Sequence, residues 1–433
     1  MGELREESMR DRTGVELFAG AGGLAMAVHR AGFRPLLFNE FAKRACETLE
    51  ANGAEWVPEG EKLTKAPEPG EKVPLVAGDV QKLDMGYLSD QVDILAGGPP
   101  CQPFSLGGVA KGDEDKRNMF PQMFRAVREI QPKAVICENV RGLLRPSFND
   151  YFQYILRELE LPFEQRAEGV DWREHDRTLI SRLAQEPDDL KKRYEVVMTP
   201  VNAADYGVPQ IRNRVIIVAF RRDLDVDIEL FKNLVKKTHS EDALTRSLME
   251  RTYWERHLEV PQHVRDRVER RLPEVKPEDD GLLPWYTLRD AIKGIGDHKP
   301  LPEITEDMLD RTERYVGGFA DHIGWPGARI YEGHTPNELD RPAKTVKAGV
   351  HGVPGGESVM LTDELMADGV TYKHRYMTVR ETARVMTFPD TWELKGPRGE
   401  KMRQLGNAVP VILGEVFAKA VATVLDEAEA RRK

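Results

Sequence analysis

Residues Asp93–Gly107 read D-I-L-A-G-G-P-P-C-Q-P-F-S-L-G, and no other stretch constrains the fold as tightly. A short apolar run, Asp93–Ala96, is stopped by Gly97 and Gly98 and then by Pro99 and Pro100. Proline fixes φ and lacks an N–H, so a strand ending here cannot continue, and Cys101 is held in a stiff loop beyond it. In open α/β sheets, ligands bind outside the carboxyl ends of the strands. A cysteine in that place reads as a positioned nucleophile. The competing reading is a small buried residue in a turn, a common place for a free cysteine.

The same rhythm runs through the N-terminal half. Val15–Phe18 is a β-like run entering a turn at Gly20, Gly22 and Gly23, followed by a helix-period segment, Leu24–Arg30. Strand, glycine loop and helix commonly open a nucleotide-type cofactor site, because glycine lets the backbone approach a ligand closely. Packing glycines in a tight turn are the alternative. Pro35–Phe38 delivers Asn39-Glu40-Phe41, and an acidic residue about twenty positions after a glycine loop suits a ribose hydroxyl pair. A helix, Ala42–Asn52, follows, and residues 53–74 read as an exposed insertion. A strand at Leu75–Ala77 ends in Gly78-Asp79, and one at Ala134–Cys137 ends in Glu138-Asn139. Two adjacent strand tips thus present a thiol and an acid, although a tip carboxylate also serves as an ordinary turn cap. Between them Val109–Asn118 is polar and lacks apolar periodicity, which predicts a mobile loop beside Cys101.

Further on, residues 147–192 read as charged helix, without a motif. Two β runs, Glu195–Val201 and Val215–Phe220, flank a loop carrying Gln210, Arg212 and Arg214. Guanidinium groups suit bidentate contacts with carboxylate, phosphate or base edges. The βαβ rhythm then stops. Arg251–Lys276 is expected as one charged helix, Gly317–Gly356 as loop, and Arg375–Asp390 as a capped helix running into F-P-D. The tail, Q-L-G-N-A-V-P followed by an apolar helix, is expected to pack back on the first domain.

A chain of 433 residues has room for two or three domains. No run of eighteen or more apolar residues is evident, and the charged N-terminus does not read as a signal peptide. Three scattered cysteines, Cys46, Cys101 and Cys137, supply neither a disulfide framework nor a zinc cluster, so a reducing cytoplasm and no metal are expected. The net charge of −10 argues weakly against nucleic acid, yet a basic cleft can sit on an acidic protein.

Taken together, the pieces resemble the DNA (cytosine-5) methyltransferase family. Eight motifs stand in its order: F-A-G-A-G-G-L at 18–24, N-E-F at 39–41, G-D-V at 78–80, G-G-P-P-C-Q-P-F-S at 97–105, E-N-V at 138–140, Q-I-R-N-R at 210–214, R-E-T-A-R-V-M-T-F-P-D at 380–390 and G-N-A-V-P at 406–410. The resemblance implies an α/β, Rossmann-like S-adenosylmethionine-dependent methyltransferase fold. A catalytic domain at 1–222, completed by 404–433, is expected beside an irregular target-recognition domain at 223–403. Cys101 would be the nucleophile and Glu138 the acid at cytosine N3, with Arg214 on the base and Arg212 supporting it or the nearby backbone. S-adenosylmethionine, leaving as S-adenosylhomocysteine, would lie on Phe18, Gly20, Gly22, Glu40, Phe41, Asp79 and Pro99, with Asn407 and Val409 at its methionine end. The loop 107–118 would close over a flipped base.

The expected partner is double-stranded DNA, read by a monomer of the prokaryotic restriction–modification type, with no membrane and no stable complex with any cognate endonuclease. A tRNA cytosine-5 methyltransferase and a catalytically dead DNA-binding module are the alternatives. The length of 223–371 favours DNA, and the intact Cys101, Glu138, Arg212 and Arg214 argue against a dead module.

Overall fold

Eight short strands form one sheet: β1 (Arg12–Leu17), β2 (Phe33–Glu40), β3 (Ala54–Trp56), β4 (Val73–Ala77), β5 (Ile94–Gly97), β6 (Ala134–Val140), β7 (Tyr194–Asn202) and β8 (Asn213–Arg221). The computed structural model describes residues 12–58, 60–100, 118–274, 279–294, 298–309, 315–348 and 358–432. Cys101 and most of the 107–118 loop lie outside the described residues. Strand order is β3-β4-β2-β1-β5-β6-β8-β7. The pairs β1–β2, β1–β5, β2–β4, β3–β4 and β5–β6 are parallel, and β8 runs antiparallel to β6. Parallel neighbours need crossovers, supplied by α1 (Gly23–Arg30), α2 (Lys43–Ala51) and α3 (Phe120–Ile130), while α4 (Asn149–Glu160), α5 (Trp172–Leu183) and α6 (Ile228–Leu234) follow β6 and β8.

Both faces of the sheet are buried. Val15, Leu17, Leu95, Val135, Cys137, Val215, Ile217 and Ala219 alternate onto one face and pack against α3, α4 and α5. On the other, Phe220 meets Phe231 edge-on at 5.1 Å, and Phe231 meets Phe417 of the C-terminal helix Val411–Arg431 at 6.5 Å. Burial on both faces explains why the strands read as continuous apolar runs. That helix is tied down by charge as well: Arg12 on β1 contacts Asp426 and Glu429, and Lys133 reaches Glu429 at 2.8 Å. The stretch Arg398–Arg431 is long and apolar enough to cross a membrane, which the sequence reading did not anticipate; 67% of its apolar window is buried within the protein.

The chain divides into two units. The first comprises Met1–Val201, Asn213–Val235 and Gly414–Lys433; the second comprises Asn202–Arg212 and Lys236–Leu413. These cuts fall elsewhere than the expected 222/223 and 403/404, because the Q-I-R segment pairs with Ala343 (Ile211 N donates to its carbonyl at 2.8 Å) and α6 packs on β8.

The second unit has little regular structure. Its longest paired strands are the hairpin Val359–Leu365 and Tyr372–Tyr376. Arg251–Lys276 is not one helix but two, Thr252–Glu255 and Gln262–Glu269, because Pro261 lacks the N–H that an unbroken helix would need there. Val379–Val385 carries the expected cap as a reciprocal box, with Thr378 and Glu381 each accepting the other's main-chain N–H. Within 53–74, read as a plain insertion, Ala54–Trp56 forms the edge strand β3 by pairing with β4.

Candidate active site

Parallel pairing sets the carboxyl ends of β1, β2, β4, β5 and β6 along one edge of the sheet, and the antiparallel β8 brings its amino end to the same edge. Phe18, Gly20, Gly22, Glu40, Phe41, Asp79, Pro99, Glu138 and Arg214 therefore share that edge. Cys101 follows Pro100 in sequence from the same edge.

After β1 the chain turns sharply. Phe18, Gly20 and Gly22 all take positive φ (57°, 55° and 85°), and the non-glycine residue among them carries the strain expected near a site. Gly22 caps α1 without side-chain help. The Gly20 N–H donates to Glu40 Oε2 and the Ala42 N–H to Glu40 Oε1, each at 2.7 Å, so this carboxylate ties the glycine turn to the end of β2. Asn39 Nδ2 donates to the carbonyls of Val76 (2.9 Å) and Gly78 (3.2 Å), fixing the tip of β4 beside it. Asp79 accepts from Gln81 N, a capping role. Phe41, directly after β2 at the same edge, is an apolar ring 78% exposed.

Gly97 is needed where β5 ends, since a Cβ there would sit 2.8 Å from the Leu17 carbonyl and 3.1 Å from Met123 Sδ. The prolines that follow are pinned from two sides: Asn139 Nδ2 donates to the Pro99 carbonyl at 2.9 Å, and Met119 N to the Pro100 carbonyl at 3.1 Å. Glu138 pairs with Ile216 in the ladder, so Arg214 is its diagonal neighbour on the same face. Arg214 Nε lies 2.8 Å from Glu138 Oε1. This is a charge contact without hydrogen-bond alignment, and Glu138 Oε1 is buried with no hydrogen-bond partner among the described residues. The pair is nearly buried, with side-chain exposures of 13% for Arg214 and 10% for Glu138. A buried oxygen with no aligned donor leaves Glu138 able to bond an incoming group.

One residue of this edge escaped the sequence reading. Glu16 is buried inside β1, and its Oε2 has no partner among the described residues. Burial pushes its pKa well above the usual carboxylate range, and the nearby Glu40 pushes the same way. The signal was an acidic residue inside the apolar run V-E-L-F, two positions before the turn. The two other cysteines are unsuited to nucleophilic work. Burial drives the thiols of both Cys46, where Glu40 adds to it, and Cys137 up to about 12.

Arg212, Asn407 and Val409 belong to the second unit. Arg212 is 1% exposed, and its guanidinium donates to the carbonyls of Val346, Gly406 and Ala408 at 3.0, 2.9 and 2.9 Å. It clamps the backbone on both sides of Asn407, which leaves Asn407 exposed and Val409 buried. Gln210 is buried beside it, accepting from Val346 N at 3.0 Å. Of the two arginines in Q-I-R-N-R, Arg214 joins the acid at the sheet edge and Arg212 braces the G-N-A-V-P turn.

A twisted, mainly parallel sheet with its polar residues at one carboxyl edge is a Rossmann-like methyltransferase fold, and two solved structures share it. A prophage-encoded Escherichia coli chain described as a DNA modification methyltransferase superposes with a TM-score of 0.55 at 20% identity, covering 96% of this chain and 100% of that one. A mutant of Spodoptera frugiperda DNMT2 gives 0.52 at 16%, covering 97% and 100%. The model of the C-5 cytosine-specific DNA methylase family matches residues 13–161 and 173–423, and the chain belongs to that family. It is similar to the type II methyltransferase M.Eco47II of Escherichia coli (30% identity, 97% of this chain and 81% of the relative) and to M.PspPI of Psychrobacter sp. strain TA137 (30%, 98% and 82%).

Proposed function

We propose that this methylase belongs to a type II restriction–modification system and methylates C5 of one cytosine in a short duplex site through a covalent adduct with Cys101. The observation that carries this reading is the Glu138–Arg214 pair, buried at adjoining strand tips beside the pinned prolines that lead into Cys101. Cytosine C5 is a poor nucleophile until a thiolate adds at C6. Cys101 would form that bond while Glu138 gives a proton or hydrogen bond to N3 and Arg214 holds O2. Once C5 of the adduct carries the methyl group, loss of the C5 proton expels the thiolate and restores the ring. Reaching C6 and C5 requires the base to leave the duplex.

The residues fit S-adenosylmethionine, which when bound supplies an electrophilic methyl group. Glu16 offers a buried, unpartnered carboxyl oxygen toward a cationic group, Glu40 an acceptor for hydroxyls, Phe41 a bare ring for a heterocycle, and the Gly20–Gly22 turn an open backbone. Asp79, Pro99, Asn407 and Val409 complete the proposed cofactor set, with no metal. The second unit would read the target sequence as part of a monomer working on cytoplasmic DNA, with any cognate endonuclease acting on the same site separately.

Methyl transfer from labelled cofactor to duplex DNA and to tRNA tests the substrate. Label on DNA alone is expected, and label on tRNA alone would overturn the reading. Cys101→Ser should abolish transfer, and retained activity would exclude the covalent route. Bisulfite sequencing of host DNA then locates the modified cytosine.

A further inference from the structure

The hairpin of α4 and α5 has no part in the chemistry above, and the family match skips residues 162–172, most of its connection and the first residue of α5. It nevertheless reaches the strand tip that carries the prolines. Asn118 is buried, and its Nδ2 donates to the Tyr151 hydroxyl on α4 at 2.5 Å. Its Oδ1 accepts from Phe120 N at 3.3 Å, so the side chain also caps the start of α3. The next residue, Met119, donates its N–H to the Pro100 carbonyl. An unbroken chain of bonds therefore runs from Tyr151 through Asn118 and Met119 to Pro100.

Tyr151 is itself firmly held. Its ring meets Trp172, the first residue of α5, edge-on at 5.1 Å and 84°, and meets Tyr154 at 5.7 Å. Tyr154 donates its hydroxyl to Glu158 and lies 3.0 Å from His175 Nδ1, so both helices lock the cluster by polar as well as apolar contacts. Every member is buried. A hydroxyl fixed this way on a packed hairpin can fix what it bonds.

We propose that Tyr151 is a positioning residue for methyl transfer, holding Asn118–Met119 and through them Pro100, the residue before the nucleophile. Asn139 pins the Pro99 carbonyl from the β6 side, and the hairpin pins the Pro100 carbonyl from the α3 side. The two anchors set the direction in which the chain leaves β5. The α4–α5 hairpin is in this view part of the catalytic apparatus. The inference rests on Cys101 as the nucleophile.

Tyr151→Phe removes only the hydroxyl and keeps the ring packing. It should lower kcat about fivefold to tenfold, leave KM for DNA and for S-adenosylmethionine within about twofold, and lower Tm by no more than a few degrees. Asn118→Ala should give the same loss, and the double variant should be no worse than either single, because both break one chain of bonds. Asn118→Ala carries the test alone if Tyr151→Phe does not fold. A Tyr151→Phe enzyme with wild-type kcat, a loss confined to KM, or strictly additive losses in the double variant would overturn the proposal. Cys101→Ser measured alongside separates the two questions: active Cys101→Ser overturns the nucleophile itself, whereas inactive Cys101→Ser with unaffected Tyr151→Phe overturns only the tether.

Discussion

The two units put their buried charged side chains to different uses. In the sheet unit the main chain satisfies itself through strand ladders, and the buried carboxyls at the carboxyl edge are left with spare capacity: Glu16 Oε2 and Glu138 Oε1 have no hydrogen-bond partner among the described residues. In the second unit, where strands are few, arginines do the work of a ladder. Arg380 donates to the carbonyls of Ala320, Pro389 and Trp392, and Arg384 to those of Ala291, Ile292 and Lys299 while pairing with Asp390. Arg289 is 1% exposed and holds Asp340 and Asp363 by two bonds each. A buried carbonyl without a partner costs about 1–3 kcal/mol, so irregular backbone persists only where such donors reach it. Spare carboxyl oxygens at the sheet edge can take an incoming group, whereas the arginine bonds of the second unit hold its loops in place.

That contrast can be broken by substitution. The largest effect is expected from Arg289→Leu, which leaves two carboxylates facing an apolar side chain. Thermal unfolding should show a loss of about 3–5 kcal/mol, and limited proteolysis should cut within the second unit. A variant of unchanged Tm would remove the idea that ionic clamps hold that unit. Glu138→Gln should behave in the reverse sense, with methyl transfer reduced about 100-fold or more and stability little altered. If it unfolds the protein and spares the rate, Glu138 is structural.

A smaller change is expected from Arg212→Lys. A single ammonium cannot match the fork on three carbonyls, so stability should fall by about 1–3 kcal/mol, and activity should fall further than with Arg177→Ala on exposed helix surface. The reverse ranking in a methylation assay would detach Arg212 from the site. The smallest effect concerns Glu16 and is read in pH. Its folded-state pKa lies above the ordinary 4.5, so between the two values the unfolded chain releases a proton that the native chain keeps. Stability from this group therefore falls as pH rises through that window. Glu16→Gln should flatten the dependence, gaining on the wild type as pH increases in a series of melting curves; parallel curves would deny the shift.

The strand tips were legible in the sequence because each is punctuated by glycine, proline or an acid directly after an apolar run, as at Leu17-Phe18, Glu40-Phe41 and Gly97–Pro100. β3 was not, since three residues in a polar stretch become a strand only by pairing with β4. Glu16 was hidden because a single acid inside an apolar run looks like an interruption. The second unit was opaque for a deeper reason. Its loops are held by donors far away in sequence, as where Arg384 meets the Ala291 carbonyl or Arg212 that of Gly406, and no local pattern announces such a bond. Arg212 and Arg214, two positions apart, looked alike until their partners were seen.

The return of Gly414–Arg431 to the first unit has a consequence for how the protein is made. The salt links from Arg12 to Asp426 and from Lys133 to Glu429 join residues far apart in sequence. Strands β1 to β8 leave the ribosome long before their last covering helix, and all of Lys236–Leu413 is synthesised in between. The apolar face around Phe220 and Phe231 must wait, partly bare, until Phe417 arrives. Contacts of such wide sequence separation form late and slowly. The sheet unit thus reaches its finished state only after Gly414–Arg431 has been made, a built-in delay between laying down β1 and closing the sheet.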